Sequence, residues 1–578
     1  MTLKRPVLSG LFAWLAIALA YALATLVYLR PIWRVGADHI APSLDDPLFN
    51  LYVLKWGARQ VSLGLPDFWN ANLFHPTRGA LTLSDHLLGP AAQLALFLRI
   101  VPNAIAGYNV LLYTAFVATA LAVCWVCRRA GLSWPAAILA GWMYAVSPQR
   151  ISQIAHLQLL IAQWAPLTLW FWDRLLAERT AKNAGLFLLF YLLHVTGGCY
   201  LAYMIHFAML GLFLNRAVAE GRQLVSLRSL RLLAPVGMVA GAIVLALFLP
   251  YLRVSKSLGL TRTDAEIQEF GARPASYVTP SRDNLYFGPE TRHLLRTRFG
   301  LYAKEDLNPE GVLFAGFLPT ALFLVGALGR FRGRREGPPD LWERGLAFAG
   351  ALCFLLTFSA IYGPLMKIVP GMSGMRVPSR FYAFASLALV HFAGRGVDAL
   401  REWMPGRRSR AALVALLAAV LLVELAPRPL RWVRLDREEE FPAVYRWIGR
   451  EPSVRALLEL PIHSDTRENV YIYHSTLHWK PLVNGFSGYY PPAHDRMVES
   501  IRFLPQPEVF GVLREWGISH LVIHAGSPGR MAALRQWEER FAAGEERRVE
   551  RVYQEAGVAV YRLLDVSPSS SLPKRAGL

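Results

Sequence analysis

Apolar runs of membrane-spanning length recur from residue 7 to residue 426, and no other feature limits the fold of this chain so strongly. The first, Val7–Leu29, follows Lys4 and Arg5 and has roughly the ~20 residues that cross a bilayer. Further runs fall at about 106–127, 135–147, 157–176, 185–196, 199–214, 231–250, 311–329, 346–363, 379–394 and 411–426. Backbone in hydrocarbon has no water to bond, so such runs read as helices of a polytopic bundle. The composition agrees: 54% of residues are hydrophobic and 18% charged, with a mean hydropathy of +0.31, more apolar than a soluble core of this size requires. A signal peptide would have a shorter core and a small-residue cleavage site. Tyr28–Arg34 has no such pattern, so the first run is expected to stay as an uncleaved span.

The net charge of +20 resembles that of a nucleic-acid binder only in size. Its arginines lie between the apolar runs, where the positive-inside rule accounts for them, and no nucleic-acid partner is expected. They cluster at Arg128 and Arg129, at Arg174, Arg179 and Lys182, at Arg216, Arg222, Arg228 and Arg231, from Arg330 through Arg332, Arg334 and Arg335 to Arg344, and from Arg395 through Arg401, Arg407 and Arg408 to Arg410. With about eleven spans, every cluster falls on the side of Lys4 and Arg5, the cytoplasm. The scheme requires that 86–102, bounded by Pro90 and Pro102, lies along the outer surface without crossing.

The expected fold is therefore mainly α: a transmembrane helical bundle over 1–426, with external loops at 31–105 and 251–310. An external α/β domain is expected over 427–566 and a disordered tail over 567–578. In the C-terminal part, strand-like runs appear at Val454–Leu460, Ile518–His524 and Val558–Leu563, with helical patterns at Phe441–Ile448 and Met531–Phe541. A chain of this kind belongs in a bacterial inner membrane, with a cytoplasmic N-terminus and an extracytoplasmic C-terminal domain. All four cysteines lie in apolar runs, so the CxxC spacing of Cys124 and Cys127 reads as packing and not as a zinc or redox site.

The candidates for chemistry are polar groups that are costly to hold near lipid. Asp45 and Asp46, in APSLDDPLFNLY, are adjacent carboxylates that repel each other. At least one gains from a cation, a metal or a substrate proton. Asp46 before Pro47 also fits a helix N-cap, and the two roles are compatible. Asp38 and His39 lie just upstream. His156, in SPQRISQIAHLQLL, sits in an apolar hairpin near Arg150, Gln153 and Gln158; it is either a site residue or a hydrogen-bonded interfacial histidine. Arg376 and Arg380, in GMRVPSRF, are external arginines, which suit either a phosphate or lipid headgroups. Arg273, Arg282, Tyr286 and Arg292 add an anion-binding or merely solvated set in the loop 251–310. No Walker A, GxGxxG, HExxH or usable GxSxG motif occurs, so an ATP-driven pump is not expected.

These residues carry a resemblance. An N-terminal span, an external loop with early acids, many further spans and an external C-terminal domain resemble a GT-C membrane glycosyltransferase. DDPLFN is similar to the DPxFN-type stretch in the first external loop of oligosaccharyltransferase catalytic subunits. The wider pattern resembles bacterial YfhO-like and arabinose-transferase-like membrane proteins, through NANLFHPTRGALTLSDHLLGP, GMRVPSRF and the C-terminal ELPI and HWKPLVNGFSGYYPP. The oligosaccharyltransferase WWDYG motif and a second acidic pair in a later external loop are absent from the sequence.

The resemblance implies inverting transfer of a sugar from a polyprenyl-phosphate donor to an extracytoplasmic glycan, lipid or protein acceptor. In it, Asp45 or Asp46 is the base or a ligand for a divalent cation such as Mg or Mn. Arg376 and Arg380 contact phosphate, and Asp38, His156 and Tyr286 support the substrates. Tyr489 and Tyr490 would help position the acceptor. A lipid flippase or transporter, or a silent scaffold on the same fold, is the alternative; a transporter calls for mid-membrane ionisable groups or an inverted repeat.

Overall fold

Several helices begin where the sequence supplies a cap. Asn103, Ser133, Ser147 and Thr180 each accept a backbone N–H from the first turn that follows, and Pro135 and Pro148 sit where a missing N–H costs nothing. The computed structural model describes residues 5–224, 226–288, 309–331, 341–462, 467–524 and 548–564, with isolated residues between them. Lys4, Arg292, the basic cluster Arg332–Arg335, most of the expected helix Met531–Phe541 and the tail 567–578 lie outside the described residues.

The chain forms two units, Met1–Ser62 with Asp85–Leu435, and Leu63–Ser84 with Asp436–Leu578. In the first, helices alternate direction. One end gathers the charged turns: Arg216 grips Asp173 through Nε at 2.9 Å, Arg344 donates to Asn215 at 2.7 Å, and Asp398 accepts the Ser133 backbone N–H at 3.0 Å. At the opposite end lie Asp46, His156, Cys199, Glu310 and Arg380, as the site geometry below shows. Glycines bring helices together. Any Cβ on Gly326 or Gly396 would fall inside the contact radius of the Phe392 or Leu322 carbonyl oxygen on the facing helix, so Phe317–Phe331 and Tyr382–Trp403 touch backbone to backbone.

Among the described residues, five helices are long and apolar enough to cross a membrane, and a pair bent by 85°, Leu341–Leu356 with Ser359–Met366, makes a sixth. The chain is a multi-pass membrane protein. Several of the eleven expected spans are shorter helices, such as Trp134–Ala145 (12 residues), Trp164–Glu178 (15) and Ala181–Val195 (15). The run at 157–176 is broken after Leu160. Leu88–Leu98 has 11 residues, about half the length a crossing needs.

β1 (His39–Ile40) pairs antiparallel with β2 (Val433–Arg434), closing the first unit. The second unit holds a four-stranded sheet of β3 (Leu457–Leu460), β4 (His520–His524), β5 (Val549–Glu555) and β6 (Val558–Leu563), in the order β3-β4-β6-β5. β3 and β4 are parallel and the remaining pairs antiparallel. Gly557, at φ +80°, makes the tight β5–β6 turn. Leu458, Leu460, Phe510, Leu521, Ile523 and Tyr561 fill the core.

The expected boundary at 426/427 falls at 435/436, and the stretch Leu63–Ser84, expected with the first external loop, folds with the C-terminal unit. His75 N–H bonds the Leu482 carbonyl at 2.9 Å, Leu482 N–H bonds Asn72 at 2.7 Å, and Phe74 packs on Tyr490 and His494.

Candidate functional site

The site begins at a helix start. The Asp45 carbonyl accepts the Phe49 N–H at 3.1 Å, so Asp45 supplies the backbone cap and Asp46 is the first residue of the helix Asp46–Ser62. The expectation of Asp46 as N-cap is corrected by one residue. Pro47 then falls at the second helical position, where it still breaks no bond. The shift frees the Asp46 side chain, whose Oδ2 lies 3.5 Å from Nε2 of His156.

His156 is held by a hairpin that folds back inside the bundle. Arg150, buried between the rings of Phe116 and Tyr144, donates from Nε to Ala145 O at 3.0 Å and from Nη2 to Leu160 O at 2.8 Å. It ties both legs of the hairpin, a structural role. Asn50, one turn along the Asp46 helix, donates to the Ala155 carbonyl at 3.3 Å and fixes that helix to the His156 turn.

Arg380 arrives from the short helix Pro378–Phe381 and stacks 4.3 Å over the Tyr200 ring. Its guanidinium bonds Glu310, with Nε at 3.1 Å. Gln153 donates to the other Glu310 oxygen at 3.1 Å, and Ser152 Oγ bonds Pro309 O at 3.1 Å. Glu310 therefore links the arginine to the His156 hairpin. Arg376 lies over Phe270 at 5.1 Å, and its backbone N–H reaches Tyr200 Oη at 3.3 Å. Among the described residues, Arg376 makes no ion pair, so its charge is available where that of Arg380 is largely spent on Glu310.

The electrostatics converge on Asp46. Partial burial works to raise its pKa, but the hydrogen bond and charge of His156, with Arg380 and Arg376, outweigh it and hold the carboxyl below the usual value. Glu310 behaves alike: burial raises it, and Arg380, His156 and Arg376 pull it lower still. Asp85 also acts on Arg380 and accepts the Cys199 N–H. Beside it, buried His86 is neutral, its pKa pushed down to about 4 by burial. Several polar atoms at the cluster are buried without a partner among the described residues: Nδ1 of His156, Oε1 of Gln158 and Oη of Tyr108, on which Asp46 acts electrostatically. Such groups are costly to leave unmet, and these lie in the same part of the bundle as Asp46.

Of the residues expected from sequence, Asp46, His156, Arg376 and Arg380 come together. Asp38 bonds its neighbour His39 at 2.7 Å, beside the β1–β2 pair. Tyr286 is 52% exposed, on a turn whose Asn284 bonds the Glu424 carbonyl. Tyr490 packs inside the second unit. Glu310, Asp85, Tyr108 and Tyr200 were not expected. Glu310 and Asp85 had a readable signal, since each is an acid a few residues before an apolar run. As for a divalent cation at Asp46, the nearest groups are one histidine and two arginines, and no three His, Cys, Asp or Glu side chains converge among the described residues. That donor set does not fit a protein-held metal.

A long helical bundle with its polar cluster at the end where the first loop, the hairpin and the later loops meet is a GT-C fold, as two solved structures attest. Arabinofuranosyltransferase AftD from Mycobacteria superposes with a TM-score of 0.57 at 14% identity, over 97% of this chain and 40% of its own. The oligosaccharyltransferase of Archaeoglobus fulgidus superposes with a TM-score of 0.50 at 13% identity, over 91% of this chain and 71% of its own. The chain thus spans about two fifths of the length of AftD. No family model matches the sequence, and no curated protein does.

Proposed function

We propose that the chain is a membrane glycosyltransferase that moves a sugar from a polyprenyl-phosphate donor to an acceptor hydroxyl with inversion at the sugar carbon. The observation that carries this reading is the meeting of an ionised carboxylate, Asp46, with His156 and with Arg376, which makes no ion pair among the described residues, beside buried polar atoms without partners. In the proposed step the acceptor oxygen attacks the anomeric carbon and the acceptor proton passes to Asp46. The bond from that carbon to the phosphate oxygen breaks, and the polyprenyl phosphate leaves with its electron pair. Arg376 meets the charge growing on the phosphate. His156 orients the Asp46 carboxylate, and Arg380, fixed by Glu310, adds a positive field.

A lateral groove supports the lipid part of the reading. It encloses about 980 Å³ beside Tyr277, Phe323, Phe354, Tyr382 and Phe392. Its lining includes Leu313, three residues past Glu310, and Tyr382, two past Arg380. An isoprenoid tail laid there would place its phosphate at the arginines. The proposed topology sets this end of the bundle outside the cytoplasm.

The test is sugar transfer from polyprenyl-phosphate donors by the purified full-length chain. Asp46→Asn is expected to lower turnover at least ~100-fold, the usual contribution of a positioned base, and Arg376→Gln to lower it with the fold intact. Wild-type turnover in Asp46→Asn would overturn the assignment.

A further inference from the structure

A second cavity, of about 650 Å³, lies between the helices Arg5–Tyr28, Ala104–Arg129, Trp164–Glu178 and Ala181–Val195. Its volume is in the ordinary range for small-molecule sites. The wall is a chain of rings: Trp125 packs on Phe171 at 5.7 Å, Phe171 stacks on Phe190 at 5.4 Å, and Phe190 stacks on Trp164 at 6.0 Å. Leu15, on its open side, is 55% exposed. No charged side chain lines it, and its one polar lining residue is Gln163.

Gln163 has no structural reason to be there. It precedes the helix Trp164–Glu178, yet its side chain caps nothing. It is 7% exposed, its Oε1 is sealed from solvent, and its amide bonds no described residue. It lies three residues past Leu160, whose carbonyl is held by Arg150; the same guanidinium reaches Thr119, near the middle of the helix Ala104–Arg129. In the cavity wall Gln163 lies beside Ala118, Leu121 and Ala122 of that helix, and its Oε1 is buried without a partner among the described residues. An amide left unmet there is costly, and leucine would serve packing better.

We propose that this cavity binds an uncharged lipid alcohol, with its hydrocarbon against the ring wall and its hydroxyl on Gln163. A hydroxyl both accepts from the amide Nε2–H and donates to Oε1, so one group satisfies both atoms. A phosphate or ammonium head would be a charge with no partner in the lining.

Photolabelling of the purified full-length chain tests this, using a long-chain alcohol that carries a diazirine. The matching alkane and the matching phosphate monoester serve as controls, and the labelled peptides are mapped. The alcohol is expected to label 163–171 about fivefold to tenfold more than the alkane, the preference one buried hydrogen-bonded group confers. Gln163→Met is expected to abolish the preference while leaving alkane labelling unchanged. Ala118→Phe, which fills the cavity from another helix, is expected to lower both. Equal labelling of the wild type by alcohol and alkane, or a preference that survives Gln163→Met, would overturn the proposal. Strongest labelling by the phosphate ester would also overturn it, in favour of a charged-lipid site. Because the readout is a ratio between two probes on one protein, loss of folding cannot imitate the expected result.

Discussion

His156, Arg380 and Arg376 together hold the Asp46 carboxyl below its usual range, and this fixes the sign of its pH response. A depressed folded-state pKa means that its stabilisation is present above the ordinary carboxylate value of about 3.9 and is lost as pH falls through the lowered one. Removing one cation, as in Arg376→Gln, is expected to move the acid limb of kcat/KM to higher pH; an unmoved limb would mean that Asp46 is not the titrating base. Glu310→Gln leaves the buried Arg380 without its carboxylate and is expected to cost about 3 kcal/mol, read as a lower melting temperature. Because the donor set around Asp46 does not fit a metal, chelation is expected to leave transfer rates unchanged. Asp46, His156 and the two arginines were legible in sequence because each is a polar group where lipid makes polarity expensive. Glu310 carries the same kind of signal, an acid just before an apolar run, but its pairing with Arg380, 70 residues away, does not show in sequence.

At the scale of helices, apolar length predicts that a segment enters the bundle but not whether it crosses straight. The run at 346–363 bends by 85° where Thr357 breaks the helix, bonding the Ala272 N–H through its carbonyl and Tyr277 through its hydroxyl. A hydropathy profile contains no such bond. Glycines are equally ambiguous in sequence, and the neighbours decide. Gly326→Ala and Gly396→Ala are expected to cost about 1–3 kcal/mol each by overpacking. Gly241→Ala, with nothing within 4 Å of its would-be Cβ, is expected to leave the melting temperature nearly unchanged. Equal effects at the three positions would contradict the backbone contact of the two helices.

Over the whole molecule, the sequence reading divides the chain once, near 426, whereas the second unit also takes in Leu63–Ser84. Strand-like runs point to a domain, whereas the pairing of Asn72 and His75 with Leu482 is a bond between segments remote in sequence. Phe74, 1% exposed, should act as the anchor of that segment. Phe74→Ala is expected to cost about 3–5 kcal/mol and to raise hydrogen exchange at Leu482–Gly485 while β3–β6 stay protected. This division has a consequence for synthesis. The two pieces of the second unit leave the ribosome about 350 residues apart, roughly 20–70 s at translation rates of about 5–20 residues per second. The first piece must wait without its partner while the whole helical bundle is inserted. In a nascent chain stalled before residue 436, that stretch should be open to protease, and it should become resistant only once the strands have been made.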